Sequence, residues 1–343
     1  MRILLTGATG FLGMETLVRL AAAGDEVVCV IRGDDPAERL HQALDLVGVP
    51  DGHRDGLSAV AGDVTDPLPH VGPVDAVVHC AASVSFGLPL DEARRINVGG
   101  TRNALAAASR AQARYVHVST AYVSGRHPGL FAEDDLDAGQ PFRNTYEQTK
   151  AEAEAVVRSA RDVDSVVLRP SIVVGESDTG WTPAFNVLYW PLRAFARGLL
   201  SEIPALPHGR VDVVPVDFVA DAIAHVTRVR RDVTGTLALV AGEEAVTVDE
   251  LLDLGAAAFG VERPRLQRLP DPAESAFAQR SEDAARYVPY FDMDVVFGDV
   301  WSRSVLRPAG IAPPPLSSYF DRIVAYAVEA RWGKAPTARR VTV

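Results

Sequence analysis

The sequence predicts an α/β protein: a doubly wound parallel sheet followed by a smaller, mostly helical C-terminal part. Three observations predict it. The chain opens on the apolar run Ile3-Leu4-Leu5, turns through Gly7-Ala8-Thr9-Gly10-Phe11-Leu12-Gly13, and enters a helical stretch from Met14 to about Ala23. Short apolar runs then recur at 26–31, 57–61, 75–79, 115–119 and 165–169, spaced as parallel β–α–β units require. From residue 176 the pattern changes to scattered aromatic residues, arginines and prolines.

Each element follows from local chemistry. Ile3, Leu4 and Leu5 suit a strand buried on both faces of a parallel sheet. The turn that follows supplies what a pyrophosphate needs, which is backbone N–H donors at a helix N-terminus that can be approached without Cβ atoms in the way. Gly7 and Gly10 provide the tight turn and the close approach, and Gly13 lets the helix pack against the strand. This is the Rossmann arrangement. It makes Gly7, Thr9, Gly10, Phe11, Leu12 and Gly13 candidate contacts of a dinucleotide, against the reading of a tight turn with no ligand.

The second strand, Glu26 to Ile31, decides which dinucleotide. A site selective for NAD usually ends this strand on a carboxylate that binds the ribose 2′-hydroxyl. Here the strand ends on Arg32 and Gly33, with Arg39 a short helical turn onward, and guanidinium groups there can hold a 2′-phosphate. NADP (as NADPH) is therefore the expected cofactor. The competing reading leaves Arg32 exposed and turns Asp34 or Asp35 in to bind NAD.

The third strand, Leu57 to Ala61, runs into Gly62-Asp63-Val64. Asp63 and the Val64 N–H can meet an adenine ring there, or Asp63 can cap an Asx turn. The fourth strand, Asp75 to His79, leads into Cys80-Ala81-Ala82-Ser83, where Ala81, Ala82 and Ser83 are small enough for the backbone to pass over the cofactor. His79 reads as a packed strand-end residue, and Cys80, with no partner base in its motif, as structural. A helix from about Leu90 to Ala111 carries Asn97, counted with the cofactor contacts and expected to find its amide partners on the next strand.

The chemistry gathers after the fifth strand, Tyr115 to Ser119. Hydride transfer to a carbonyl creates an oxyanion, and a nearby acid should deliver a proton as the charge develops. Tyr146 and Lys150 stand four residues apart, on one face of a helix starting near Asn144. Tyr146 is the candidate acid. Lys150 can lower the phenol's pKa and bind the nicotinamide ribose, and Thr120 at the strand end can hydrogen-bond the same oxygen.

The segments TGATGFLG, HCAASVSF, INVGGT, VSTAYVSG and NTYEQTK, in that order, resemble the extended short-chain dehydrogenase/reductase (SDR) family. HCAASVSF and HVSTAYVSG are most similar to fatty acyl-CoA reductases and to the thioester reductase domains that end carboxylic acid reductases and some peptide synthetases. The likeness covers about residues 1 to 330. It implies a catalytic Thr120, Tyr146 and Lys150, and NADPH held through Gly7, Gly10, Gly13 and Arg32. It also places Pro170, Ile172 and Val173 beside the nicotinamide, with plain strand-end packing as the alternative.

Composition bounds the rest. With 343 residues, 48% hydrophobic and 23% charged, the chain reads as a soluble globular protein with a substantial core. The balance of 34 basic against 45 acidic residues, net −11, argues against a nucleic-acid partner. No apolar run approaches the roughly 18 residues of a membrane span. Two cysteines, Cys29 and Cys80, form no disulfide framework or metal pattern. With a first strand at Met1 that leaves no room for a signal peptide, a cytoplasmic location is expected.

Between residues 176 and 210 the large apolar groups Trp181, Tyr189, Trp190, Phe195, Leu199 and Leu200 stand among Arg193, Arg197 and Arg210. Part of this segment is expected to line the substrate site. The arginines can meet a CoA or phosphopantetheine phosphate, or simply be solvated. Residues 212–217 are expected to return to the sheet with Asp217 capping the next helix, Thr236 to Val240 to form a further strand, and Thr247 to cap a helix to Phe259. The stretch 264–278 reads as irregular, then helical, and Leu316 to Ala330 as a last amphipathic helix. The expected domains are 1–175 with 211–240 for the dinucleotide, 176–210 with 241–332 for substrate, and a mobile tail at 333–343.

The function expected from these residues and the resemblance is an NADPH-dependent reductase of an acyl thioester to aldehyde or alcohol. No cysteine nucleophile or metal is needed. No adenylation or carrier domain is present, so the thioester should arrive on CoA or a separate acyl carrier protein, to a monomer or homodimer. The alternatives are an NADP-dependent reductase of ketones or aldehydes or a secondary-alcohol dehydrogenase on a hydrophobic substrate, a nucleotide-sugar epimerase, and an NADP-binding sensor without turnover.

Overall fold

Strands buried on both faces build the centre of the molecule. The computed structural model describes residues 1–185, 187–206, 208–267, 287–290, 293–335 and 337–339. Its main sheet consists of β1 (Arg2–Thr6), β2 (Glu26–Ile31), β3 (Leu57–Ala61), β4 (Ala76–His79), β5 (Arg114–Val118), β7 (Ser165–Pro170) and β12 (Gly235–Leu239). The order is β12-β7-β5-β4-β1-β2-β3 and every pairing is parallel. Side chains alternate across it. Ile3, Leu5, Val27, Cys29 and Val78 face a cluster with α1 (Phe11–Ala22), α2 (Pro36–Val47) and α7 (Val216–Arg228). Leu4, Val28, Val30 and Val77 face α4 (Gly100–Ala111) and α5 (Thr145–Ser159). The order reverses between β1 and β4, and a crevice opens there at the strands' C-terminal ends.

The expected Leu90 to Ala111 helix is one continuous run with a wider turn inside it: α3 (Leu90–Arg94), a π turn (Arg95–Gly99), then α4. Among the described residues four short strand pairs lie off the main sheet. They are β6 (Gly129–Phe131) with β15 (Val295–Phe297), β8 (Ile172–Val174) with β11 (Val213–Pro215), β9 (Glu202–Ile203) with β14 (Arg265–Leu266), and β10 (Arg210–Val211) with β13 (Val246–Thr247). Residues 212–217 therefore do not rejoin the main sheet. They pair with β8, which has already left it. Asp217 is no cap either, since it lies inside the first turn of α7 and accepts Ser177 N–H and Oγ–H at 2.9 and 2.6 Å.

The second cluster, away from the sheet, packs α6 (Tyr189–Ala196), α8 (Val248–Phe259) and α10 (Phe320–Glu329), with α9 (Val300–Leu306) lying against β12. Thr247 caps α8 in a reciprocal box with Glu250. Leu316 to Ala330 divides into a 3-10 turn (Leu316–Ser318) and α10. The expected helix reaching Ala278 lies outside the described residues from 268 onward, as do Phe291 and residues 340–343. The tail expected to be free is docked where described. The Trp181 indole donates to the Thr337 carbonyl at 3.0 Å, and Arg339 pairs with Glu176. Among the described residues no helix is long and apolar enough to cross a membrane.

Candidate active site

The crevice floor is the first turn. Gly7 is left-handed, φ +78°, and a Cβ there would sit 2.7 Å from the Ala81 nitrogen, so only glycine lets the turn cross the exit of β4. A Cβ on Gly13 would run into the Gly7 carbonyl, so α1 packs on the turn itself. Gly10 starts α1 with no side-chain cap, and its only near neighbour is the Gly7 oxygen, 3.3 Å from where a Cβ would be. The uncapped turn of Phe11, Leu12 and Gly13 lines a cavity of about 580 Å³. Bare N–H groups at a helix start, facing a space cleared by glycine, fit a dinucleotide's pyrophosphate. Ala82 also lines the cavity, whereas Thr9, Ala81 and Ser83 do not.

At the end of β2, Arg32 and Arg39 are both exposed and joined, the Arg39 guanidinium donating to the Arg32 carbonyl. Asp35 is committed to capping α2 through the Glu38 N–H, 2.9 Å away. Asp63 forms the Asx turn, accepting the Thr65 N–H at 2.9 Å. That bond, with the Arg32 and Arg95 charges, holds its carboxyl below the usual range. The Val64 carbonyl accepts from Asn103 at 2.8 Å. Neither Asp63 nor Val64 lines the main cavity.

Asn97 corrects an expectation. Its amide does not meet the next strand: Oδ1 accepts the Ser83 N–H at 2.8 Å, and Nδ2 donates to the Ser83 carbonyl at 3.1 Å and Thr149 Oγ1 at 2.9 Å. The π turn that holds Asn97 presents it to the loop after β4 and to α5. The side chain braces that loop and does not reach the cavity.

Thr120, Tyr146 and Lys150 do converge on the cavity wall, with Pro170, Ile172 and Val173 beside them. Burial pushes the Tyr146 phenol up to about 12, opposed by a hydrogen bond with the Thr120 hydroxyl. Lys150 donates to the Val118 carbonyl at 2.8 Å, and burial brings it down to about 8. Thr120 and Lys150 thus both stand beside the phenol on the cavity wall. Behind them the buried Glu154 carboxylate accepts from Ser119 Oγ at 3.0 Å and from Arg169 Nη2 and Nε at 2.6 and 3.0 Å. This pair ties the ends of β5 and β7 to α5. His79 is buried, bonded to Thr6 Oγ1 at 2.7 Å, and driven down to about 3 by burial, so it is neutral packing. Cys80 borders the cavity with its thiol pushed up to about 12 by burial. Among the described residues no three His, Cys, Asp or Glu side chains cluster to hold a metal.

The substrate side holds residues with no site role read from the sequence, although Tyr287 and Tyr290 stand in a stretch, 287–291, that resembles the tail of the acyl reductases. Phe86, Tyr122, Val187, Tyr287 and Tyr290 line the cavity. Phe86 ends the HCAASVSF motif, which is the one signal that pointed toward it. Tyr290 stacks on Phe86 with ring centres 5.5 Å apart. Of the 176–210 segment, Ala184 and Val187 reach the wall. Trp181 and Tyr189 are fully buried core, the Tyr189 hydroxyl accepting the Gly175 N–H at 2.9 Å. Arg210 is occupied by the carbonyls of Glu243 and Ala245, while Arg197 is exposed.

Comparison with known proteins agrees with this fold. Residues 5–223 match the model of a family of NAD-binding domains described as Male sterility protein. The chain is 30% identical over 256 residues to the nonribosomal peptide synthetase asaC of Aspergillus flavus, covering 66% of this chain and 25% of that protein. It is 30% identical over 273 residues to human (Homo sapiens) fatty acyl-CoA reductase 1, covering 64% of this chain and 53% of that one. Its fold superposes with a TM-score of 0.82 on the terminal R domain from the myxalamid PKS-NRPS biosynthetic pathway, at 26% identity, covering 98% of this chain and 92% of that one. The chain thus spans about a quarter of that peptide synthetase and about half of that reductase. By the family match and the fold, the chain belongs to the Male sterility protein family of NAD-binding domains, within the extended short-chain dehydrogenase/reductases.

Proposed function

We propose that this protein is an NADPH-dependent reductase of an acyl thioester, carried on CoA or on an acyl carrier protein, to the aldehyde. The observation that carries the reading is the convergence of Thr120, Tyr146 and Lys150 on a cavity with a glycine-turn floor and a largely apolar far wall. The names of the relatives, a peptide synthetase and a fatty acyl-CoA reductase, support the substrate class. Arg32 and Arg39 at the end of β2 favour NADPH over NADH, and Asp35, one of the two carboxylates that could bind an NAD ribose instead, is committed to capping α2.

When bound, the reduced nicotinamide supplies a hydride to the acyl carbon. The first turn would hold the pyrophosphate, Lys150 the nicotinamide ribose, and Pro170, Ile172 and Val173 the ring's edge. Thr120 and Tyr146 bind the carbonyl oxygen, and the phenol proton moves to that oxygen as its charge develops. The resulting hemithioacetal loses its hydroxyl proton to the Tyr146 phenolate. The C–S bond then breaks, and the sulfur leaves and takes up a proton as a thiol. Cys80, protonated and without a base, has no part in this.

The test is NADPH oxidation by the purified protein, offered an acyl-CoA, the matching aldehyde and a hydrophobic ketone. Oxidation with acyl-CoA, lost in Tyr146→Phe while NADPH still binds, is the expected result. Turnover of ketone or aldehyde alone would replace the thioester reading with simple carbonyl reduction.

A further inference from the structure

Behind the active-site cavity lies a second, smaller one of about 50 Å³. Ile172, Val187, Tyr287 and Tyr290 line both, so the two spaces share a wall. The far side of the small cavity is hydrocarbon. Leu192 and Phe195 of α6 and Leu251 and Leu252 of α8 form most of it, and all four are buried. No charged side chain among the described residues lines it. An apolar void of this kind leaves its lining short of dispersion partners and gives water nothing to bond, so an apolar group fills it favourably. At roughly 10–15 Å³ for each water-sized group, it has room for about three to five.

The shared wall has a fixed and a small member. Tyr290 is held by its hydroxyl, 2.7 Å from both Glu147 Oε1 and Asn144 Nδ2, and by ring contacts to Phe86 and Tyr122. Val187 is the small, half-buried member.

We propose that the small cavity is a tail pocket: the apolar end of an acyl group with its carbonyl at Tyr146 passes between Tyr290 and Val187 and ends against Leu192, Leu251 and Leu252. The pocket then measures the acyl chain. This deepens the thioester reading above and rests on it for the carbonyl's place. A methylene that fits or fails to fit such a pocket changes kcat/KM by about 10–200-fold.

The experiment compares wild type with Leu252→Phe, which fills the pocket, and Leu251→Ala, which enlarges it. Each is given a graded series of straight-chain acyl-CoA substrates for kcat/KM and a matching series of 1-alkanols for calorimetric binding in the presence of NADPH. Leu252→Phe should lower the long-to-short ratio about 10-fold or more, and Leu251→Ala should move the optimum to longer chains. If thermal melting shows that Leu252→Phe does not fold, Val187→Phe narrows the passage and should give the same loss. Equal changes at every chain length in a folded variant would overturn the pocket. Acyl-CoA turnover without length selection would keep the thioester reading and sink the pocket. Length-graded alkanol binding that Leu252→Phe shortens, with no thioester turned over, would keep the pocket and sink that reading.

Discussion

The Tyr290 hydroxyl donates to Glu147 Oε1 at 2.7 Å, joining the C-terminal part of the chain to the residue next to Tyr146. Asn144 donates to the same hydroxyl at 2.7 Å, while its own Oδ1 accepts the Glu147 N–H and caps α5. Arg143 completes the set, 3.4 Å from the carboxylate and 5.5 Å from the Tyr290 ring centre. The helix carrying Tyr146 and Lys150 therefore begins in a network that another part of the chain closes.

Tyr290→Phe keeps the ring and removes one donor from a buried carboxylate, which should cost about 1–3 kcal/mol. The pH dependence identifies the cause. Burial raises the Glu147 pKa, and Arg143 and the Tyr290 hydroxyl oppose that rise. A carboxyl raised in the fold contributes stability below its unfolded pKa and loses it as pH rises through the folded one. Without the hydroxyl the folded pKa rises further, so the deficit of Tyr290→Phe should be small in acid and widen toward neutrality. Urea unfolding at several pH values measures this, and a pH-independent deficit would remove Glu147 from the explanation.

That network shows what was hidden in the sequence. The glycine turn, the strand runs and the Tyr146–Lys150 spacing are local signals, and the structure places them together. Tyr290 and Glu147 stand far apart along the chain, and nothing in either local pattern announces the other. Asn97 was legible as a buried amide but not in its partners, because a π turn sets its direction. Residues 212–217 were legible as extended but not in their pairing, since an extended run does not name its partner strand, which here is β8. Trp181 and Tyr189 show the other failure: apolar aromatic residues suit a core and a ligand wall equally, and only packing separates the two.

Thr120→Val tests the contact on the phenol. The Thr120 hydroxyl is the group that opposes the burial-driven rise of Tyr146. Its loss should raise the phenol's pKa further and, by analogy with removing one oxyanion donor, lower kcat by about 10²–10³. Thr120→Ser keeps the hydroxyl and should recover most of the rate. A Thr120→Val enzyme with unaltered kcat would take Thr120 out of the mechanism.

Arg32→Ala with Arg39→Ala tests the cofactor assignment. Hydrogen bonds to a charged group are worth about 1.5–3 kcal/mol, so NADPH affinity should fall at least 10-fold while NADH affinity holds. Fluorescence titration with both dinucleotides reads this directly. Equal loss for both, or none for either, would mean that the end of β2 does not bind a 2′-phosphate.

Lys150 should pull activity and stability in opposite directions with pH. Burial lowers it from 10.5 to about 8, so between those values the native state binds fewer protons than the unfolded chain. Stability should therefore rise with pH across that window. If the ammonium holds the ribose, kcat/KM should fall across the same window, with an apparent pKa near 8 that belongs to the free enzyme. The protein would grow more stable as it loses activity. Lys150→Met should be inactive at every pH and should lack the rise in stability, which thermal melts from pH 7 to 10 would show. A flat kcat/KM profile in the wild type through pH 10 would mean that the charge on Lys150 is not used in the reaction.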